Sequence, residues 1–123
     1  MSSAVTTVED VAPITEYGAT ISVVFTSDAW TAYALGSGRL VAQFRVHPRS
    51  DAVLWAADPD LGTITRPGSY TLTITIPDSA GELLVGVNYV YFDFVHIASD
   101  VYTPIPTLVK WPTGHVVTKK VNI

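Results

Sequence analysis

The side chains that could carry chemistry are few and scattered. The three histidines, His47, His96 and His115, stand far apart, with no H-x-H or H-x-x-x-H spacing among them. Zinc sites draw ligands from closely spaced pairs, so no metal centre is expected, although His96 and His115 could still meet across strands. In "DPDLG" Asp58 and Asp60 offer carboxylates two positions apart. Calcium needs about six or more oxygen ligands, and a solvated turn is the preferred reading. The chain has no cysteine, hence no disulfide, thiolate site or thiol nucleophile. It has no G-x-S-x-G elbow, and "GSG" at Gly36–Gly38 lacks the helix and lysine of a phosphate loop. A carboxylate-pair glycosidase is not excluded by counting acids, but a small domain leaves little room for a deep cleft. No catalytic residue and no cofactor is expected, and the chain reads as a non-enzyme.

One acid is unusual in its setting. Asp93 stands within "VNYVYFDFVHI", Val87 to Ile97, a run that is apolar or aromatic on both faces. In a strand, Val87, Tyr89, Tyr91, Asp93 and Val95 share one face, and Val90, Phe92 and Phe94 share the other. The phenylalanine face suits a core. Asp93 then lies outside with the two tyrosines, whose hydroxyls tolerate water. A neighbouring strand carrying Arg45 would give Asp93 a cross-strand ion pair, with charged groups within about 4 Å. Tyr89 and Tyr91, together with Trp111 or Trp55, would form an exposed aromatic patch, and Trp30 and Tyr33 are further interface candidates. Such patches mark docking surfaces unless a loop or the N-terminal segment covers them.

The elements that must position these residues are strands. "ATISVVFT" (19–26), "LVAQFRVH" (40–47), "AVLWAA" (52–57) and "SYTLTITI" (69–76) have strand patterning. Leu40, Ala42, Phe44 and Val46 are expected to point inward, as are Tyr70, Leu72, Ile74 and Ile76. "SDAWTAYALGSGR" reads as turn-rich, "RPGS" as a type II turn, and "DSAGELL" as one helical turn or a tight loop with Asp78 as its cap. After "ASDVYTPIP", Thr107–Trp111 reads as a strand, "PTG" as a hairpin turn and His115–Asn122 as its return. Seven or eight strands at this spacing predict an all-β, antiparallel sandwich over residues 19–123. Residues 1–18 read as an N-terminal arm or a first strand.

Composition limits the partners. The chain has 123 residues, enough for one domain, with 48% hydrophobic and 15% charged residues and a net charge of −4. Lys119-Lys120 is the only basic doublet, so a nucleic-acid partner is not expected. No apolar run approaches the roughly 18 residues of a membrane helix, and the N-terminus lacks the pattern of an export signal. Synthesis and folding in a cytoplasm are the expectation. Carbohydrate is a possible ligand, because Trp30, Trp55, Trp111, Tyr33 and Tyr102 could stack on sugars if brought together. Placement of each tryptophan in the core or an interface is preferred.

The order of segments resembles that of small proteins and domains of tailed bacteriophages. The resemblance rests on "AQFR" at Ala42–Arg45, "GSYTLTITIP" at Gly68–Pro77, "GVNYVYFDF" at Gly86–Phe94 and "LVKWPTGHVVTKKV" at Leu108–Val121. It covers roughly residues 19 to 123. It departs from the pattern before the "AQFR" strand, where "TSDAWTAYALGSG" stands in place of an acidic-glycine turn. What the resemblance implies is an immunoglobulin-like sandwich located in a virion. The implied role is a head decoration or cement protein, or else a tail or baseplate module. Partners would be the major capsid protein or tail proteins and further copies of the chain, engaged through aromatic surface, the N-terminal arm and strand addition at sheet edges.

Overall fold

The alternating segments form the centre of two facing sheets. The computed structural model describes residues 5–9, 13–68, 70–86 and 88–114, with backbone alone for 5–9, 106 and 107. His115 and the expected return strand lie outside the described residues. The strands are β1 (Val5–Glu9), β2 (Ala19–Phe25), β3 (Arg39–Arg45), β4 (Trp55–Ala57), β5 (Ile64–Gly68), β6 (Thr71–Ile76), β7 (Tyr89–Ala98) and β8 (Val101–Pro112). Two short helices join them, α1 (Ser27–Ala32) and α2 (Asp78–Leu84). The strand orders are β1-β2-β6-β5 and β4-β3-β7-β8, antiparallel throughout, so the domain is an all-β sandwich.

The core is the sum of the inward positions. β2 supplies Ile21, Val23 and Phe25, and β6 supplies Leu72, Ile74 and Ile76. Against them lie Leu40, Ala42 and Phe44 of β3 and Val90, Phe92 and Phe94 of β7. Each large side chain so buried stabilises the fold by about 1.5–3 kcal/mol relative to exposure. The aromatic rings make a continuous chain of contacts: Tyr70 on Trp30, Trp30 on Phe25, Phe25 on Phe94, Phe94 on Phe92, and Phe92 on both Phe44 and Trp111.

Several local expectations are corrected. "SDAWTA" is helical: Thr26 caps α1, its Oγ1 accepting from the amide of Ala29 at 3.0 Å. α2 is longer than one turn, and its N-cap is Pro77 without a side-chain cap bond; Asp78 is its first residue. β5 continues through Arg66 and Pro67, where a turn was expected. β8 begins at Val101 and forms a long hairpin with β7, where a loop was expected up to Pro106. Val46 is exposed because β3 ends at Arg45. Tyr70 does not point inward: β6 starts one residue later, and Tyr70 sits in the left-handed region with φ 62°.

Residues 5–9 are a strand rather than a free arm, paired antiparallel with β2. Ile14 lies against the other sheet, where it exchanges hydrogen bonds with the Pro112 carbonyl and the Gly114 amide, both 3.0 Å, and is fully buried. The following turn, Thr15–Gly18, lies against α2. A Cβ on Gly81 would stand 2.2 Å from the Thr15 carbonyl oxygen, and one on Gly18, at φ 88°, would stand 2.0 Å from that of Ile76. Only glycine permits this approach.

Candidate functional site

The outer face of the β4-β3-β7-β8 sheet carries the expected ion pair. Gln43 lies directly opposite Asp93, and Arg45 opposite Tyr91, so Arg45 and Asp93 meet on the diagonal. Arg45 Nη1 is 3.4 Å from Asp93 Oδ1, and Arg45 Nη2 donates to Gln43 Oε1 at 2.8 Å. The side chains of Arg45 and Asp93 are 20% and 31% exposed. Burial raises the Asp93 pKa above the ordinary carboxylate value, and the Arg45 charge and the backbone amide of Asp93 itself act in the opposite direction. The ladder with β8 is irregular here: Phe92 faces Val109 and Phe94 faces Ile105, leaving residues 106–108 as a bulge beside Asp93. A bulge interrupts the hydrogen-bond ladder, and a carboxylate beside it can accept from the strand's own amide.

Tyr89 and Tyr91 are on this face, as the strand period requires. Tyr89 is 47% exposed, with Lys110 Nζ 4.1 Å from its ring centroid. Tyr91 is half-buried, its ring 6.4 Å from that of His47. The tryptophans do not join them. Trp111 pairs with Val90 across the ladder, which turns it inward, and it is 2% exposed. Trp55 pairs with Phe44 and packs on that ring at 5.5 Å. The outward patch expected of tyrosines with Trp111 or Trp55 is thus corrected to tyrosines with Lys110 and His47. The physical reason is register, since a one-residue step along a strand changes the face.

Trp30 and Tyr33 lie elsewhere, at the end of the sandwich where α1, the β5–β6 turn and the β7–β8 turn converge. Trp30 is half-buried, 6.1 Å from the ring of Phe25 and 6.0 Å from that of Tyr70. Tyr33 also packs partly on the core. This loop end is tied down by two side chains. Arg66 donates to the carbonyls of Leu35 (2.7 Å), Ser37 (3.1 Å) and Gly38 (2.9 Å). His96 Nε2 is 2.9 Å from the Ser37 carbonyl, which fixes that nitrogen as the donor.

Beside it, Arg39 pairs with Asp58 through Nε and Nη2, and Asp60 stands 3.7 Å from Arg39 Nε. The hydrogen bond from Arg39 lowers the Asp58 pKa, outweighing partial burial. "DPDLG" is a 3-10 turn in which Asp58 Oδ1 accepts from the Asp60 amide at 2.9 Å. Both carboxylates thus face Arg39 of β3, and that of Asp58 also caps the turn. Among the described residues, no three His, Asp or Glu side chains gather as a metal would require.

The structure therefore splits the six aromatic candidates three ways: Tyr89 and Tyr91 outward, Trp30 and Tyr33 at the loop end, Trp55 and Trp111 against the core. Tyr70 and Val101 are exposed residues that the sequence reading did not select. The inward alternation of its strand hides Tyr70, and the loop-like composition of its segment hides Val101. Comparison with protein-family models, with curated proteins and with solved structures finds no match.

Proposed function

We propose that the chain is a non-enzymatic structural protein of a tailed-phage virion, a decoration or cement protein that stabilises the head through protein–protein contacts. The order of sequence segments supports the phage reading. The observation that carries an interaction role is the β7–β8 hairpin. Along its length Tyr89, Val101, Tyr102 and Leu108 stand 47%, 61%, 67% and 51% exposed. Large side chains spaced along one rigid element are the material of interface anchors.

The sandwich is proposed to be of the immunoglobulin type. The support is its strand order, β1-β2-β6-β5 facing β4-β3-β7-β8. This corresponds to the ABED and CFG sheets of that fold with one strand added beside C.

Docking is proposed to use side chains more than strand addition. β8 carries Pro104, Pro106 and Pro112, β5 carries Pro67, and β4 has only three residues. Prolines remove amide donors from an edge, and a very short edge offers little ladder to an incoming strand.

Cryo-electron microscopy of whole particles tests the reading. Density for the chain on the head lattice is the expected result. Density on the tail would replace the head role with that of an adaptor or baseplate module. Absence of the chain from purified particles would overturn the virion reading.

A further inference from the structure

Every described non-glycine residue with positive φ lies at one end of the molecule. They are Ala34 (53°), Tyr70 (62°), Ser99 (48°) and Asp100 (66°). They belong to three different connections. Their convergence follows from the hydrogen bonds: Phe25 donates to the Tyr70 carbonyl, Arg66 and His96 bind the Leu35–Gly38 segment, and Ser99-Asp100 turns the hairpin beyond Ile97, which faces Arg39. Side chains are disfavoured in the left-handed region, and a bulky one is a genuine outlier there. Such conformations persist where the surroundings over-determine them, and they concentrate where a surface is preorganised for a ligand.

The first two of these connections are visibly held by their surroundings. Arg66 spends its guanidinium on three backbone carbonyls, and His96 holds one of the same carbonyls from the other sheet. Tyr70 rests on Trp30, and Trp30 on Phe25 of the core, yet Tyr70 remains 46% exposed. A ring that is both seated and exposed loses little freedom on contact, which is the property of an interface anchor. Around it the surface mixes Tyr and Trp with Ser and Thr, the composition of loop-borne binding surfaces. The charges left exposed and outside these pairs are acidic: Asp28 and Asp100 are open, whereas Arg39 is engaged by Asp58 and Asp60 and Arg66 by three carbonyls.

We infer that this loop end is the docking end of the chain, with Tyr70 as its central anchor. Its occupant is a folded protein surface that offers an apolar pocket within a basic rim. The inference rests on the virion reading, and it names the surface which that role uses.

The test uses the full chain, with purified heads and purified tails of the phage as the probes. Tyr70→Gly removes the ring and also suits the left-handed backbone. Loss of the Trp30 contact and relief of strain oppose each other, so the variant is expected to melt close to the wild type. The expected result is binding weakened about thirtyfold, the loss typical of an interface anchor. Asp28→Lys with Asp100→Lys should slow association and flatten its dependence on salt. Wild-type binding that Tyr70→Gly leaves unchanged would overturn the inference alone. Failure of the wild type to bind either probe would overturn the virion reading and the inference together. If Tyr70→Gly fails to fold, Tyr70→Asn, which keeps left-handed tolerance, replaces it with the same expected loss.

Discussion

At the end of the sandwich where β2 begins, the unusual backbone falls on glycine. Gly18 carries the positive φ, Gly81 permits the close approach of α2, and Ile14 closes the core beside them. At the loop end Gly38 and Gly68 have positive φ as well, but so do Ala34, Tyr70, Ser99 and Asp100. One end has the residue that its backbone wants. The other holds residues that its backbone resists, and Arg66 and His96 tie down the segment that follows one of them, Ala34. The first pattern is that of a region shaped by stability alone. The proposed docking role accounts for the second, since there the identity of exposed side chains would matter more than their conformational cost.

Breaking the glycine end should have the largest effect. Gly18→Ala would place a Cβ against the Ile76 carbonyl at a φ that alanine resists. The overlap is with backbone, which cannot swing aside. A loss of about 3 kcal/mol is expected, from overpacking added to left-handed strain. Urea unfolding followed by tryptophan fluorescence measures it. A loss below about 1 kcal/mol would show that the turn relaxes freely, and the contrast between the ends would fail.

Relieving the loop end should act in the opposite direction. Ser99-Asp100 is a two-residue hairpin turn with both φ values positive, the geometry that Asn-Gly fits best. Ser99→Asn combined with Asp100→Gly should stabilise the protein by about 1 kcal/mol. Ala34→Gly should add less, about 0.5 kcal/mol, because the gain is offset by the greater freedom of glycine in the unfolded chain. Destabilisation by either change, read from the same unfolding curves, would mean that the left-handed residues make contacts worth more than their strain.

The same contrast explains what the sequence made legible. β2, β3, β6 and β7 are central strands with one buried face, so Ile21, Phe44, Ile74 and Phe92 fall on strict alternation. That period put Arg45 and Asp93 on outer faces; their meeting on the diagonal comes from the β3–β7 register. What escaped lies at edges and ends. β8 was cut short because Pro104 and Pro106 argue against a strand, but prolines are tolerated on an edge. Its turn carried Ser-Asp in place of the Asn-Gly that marks a hairpin. α1 is six residues long, too short for a helical period to show, although Thr26 before Ser27 was a usable cap signal. Trp111 was placed outside because its register against β7 depends on the bulge at 106–108, which no local pattern announces.

The smallest expected effect separates the acids of the two regions. Asp58, beside the loop end, has its pKa lowered by Arg39; Asp93, on the outer face, has its pKa raised by burial. The signs of their pH effects are therefore opposite. For Asp58 the folded state binds its proton more weakly than the unfolded chain. Its stabilisation is present above the unfolded carboxylate pKa and is lost as pH falls through that range toward the lowered folded value. For Asp93 the folded state binds the proton more tightly. Its contribution is greatest below the unfolded pKa and is lost as pH rises through the raised folded value. Lowering the pH through the carboxylate range should thus cost the wild type stability relative to Asp58→Asn, and gain it stability relative to Asp93→Asn. Both slopes are small, because the pairs are partly exposed and screened by solvent. Unfolding free energies of the three proteins across this pH range read both at once. Slopes of the same sign would show that Arg45 outweighs burial at Asp93, making it an ordinary surface partner like Asp58 rather than an acid held in the sheet at a cost.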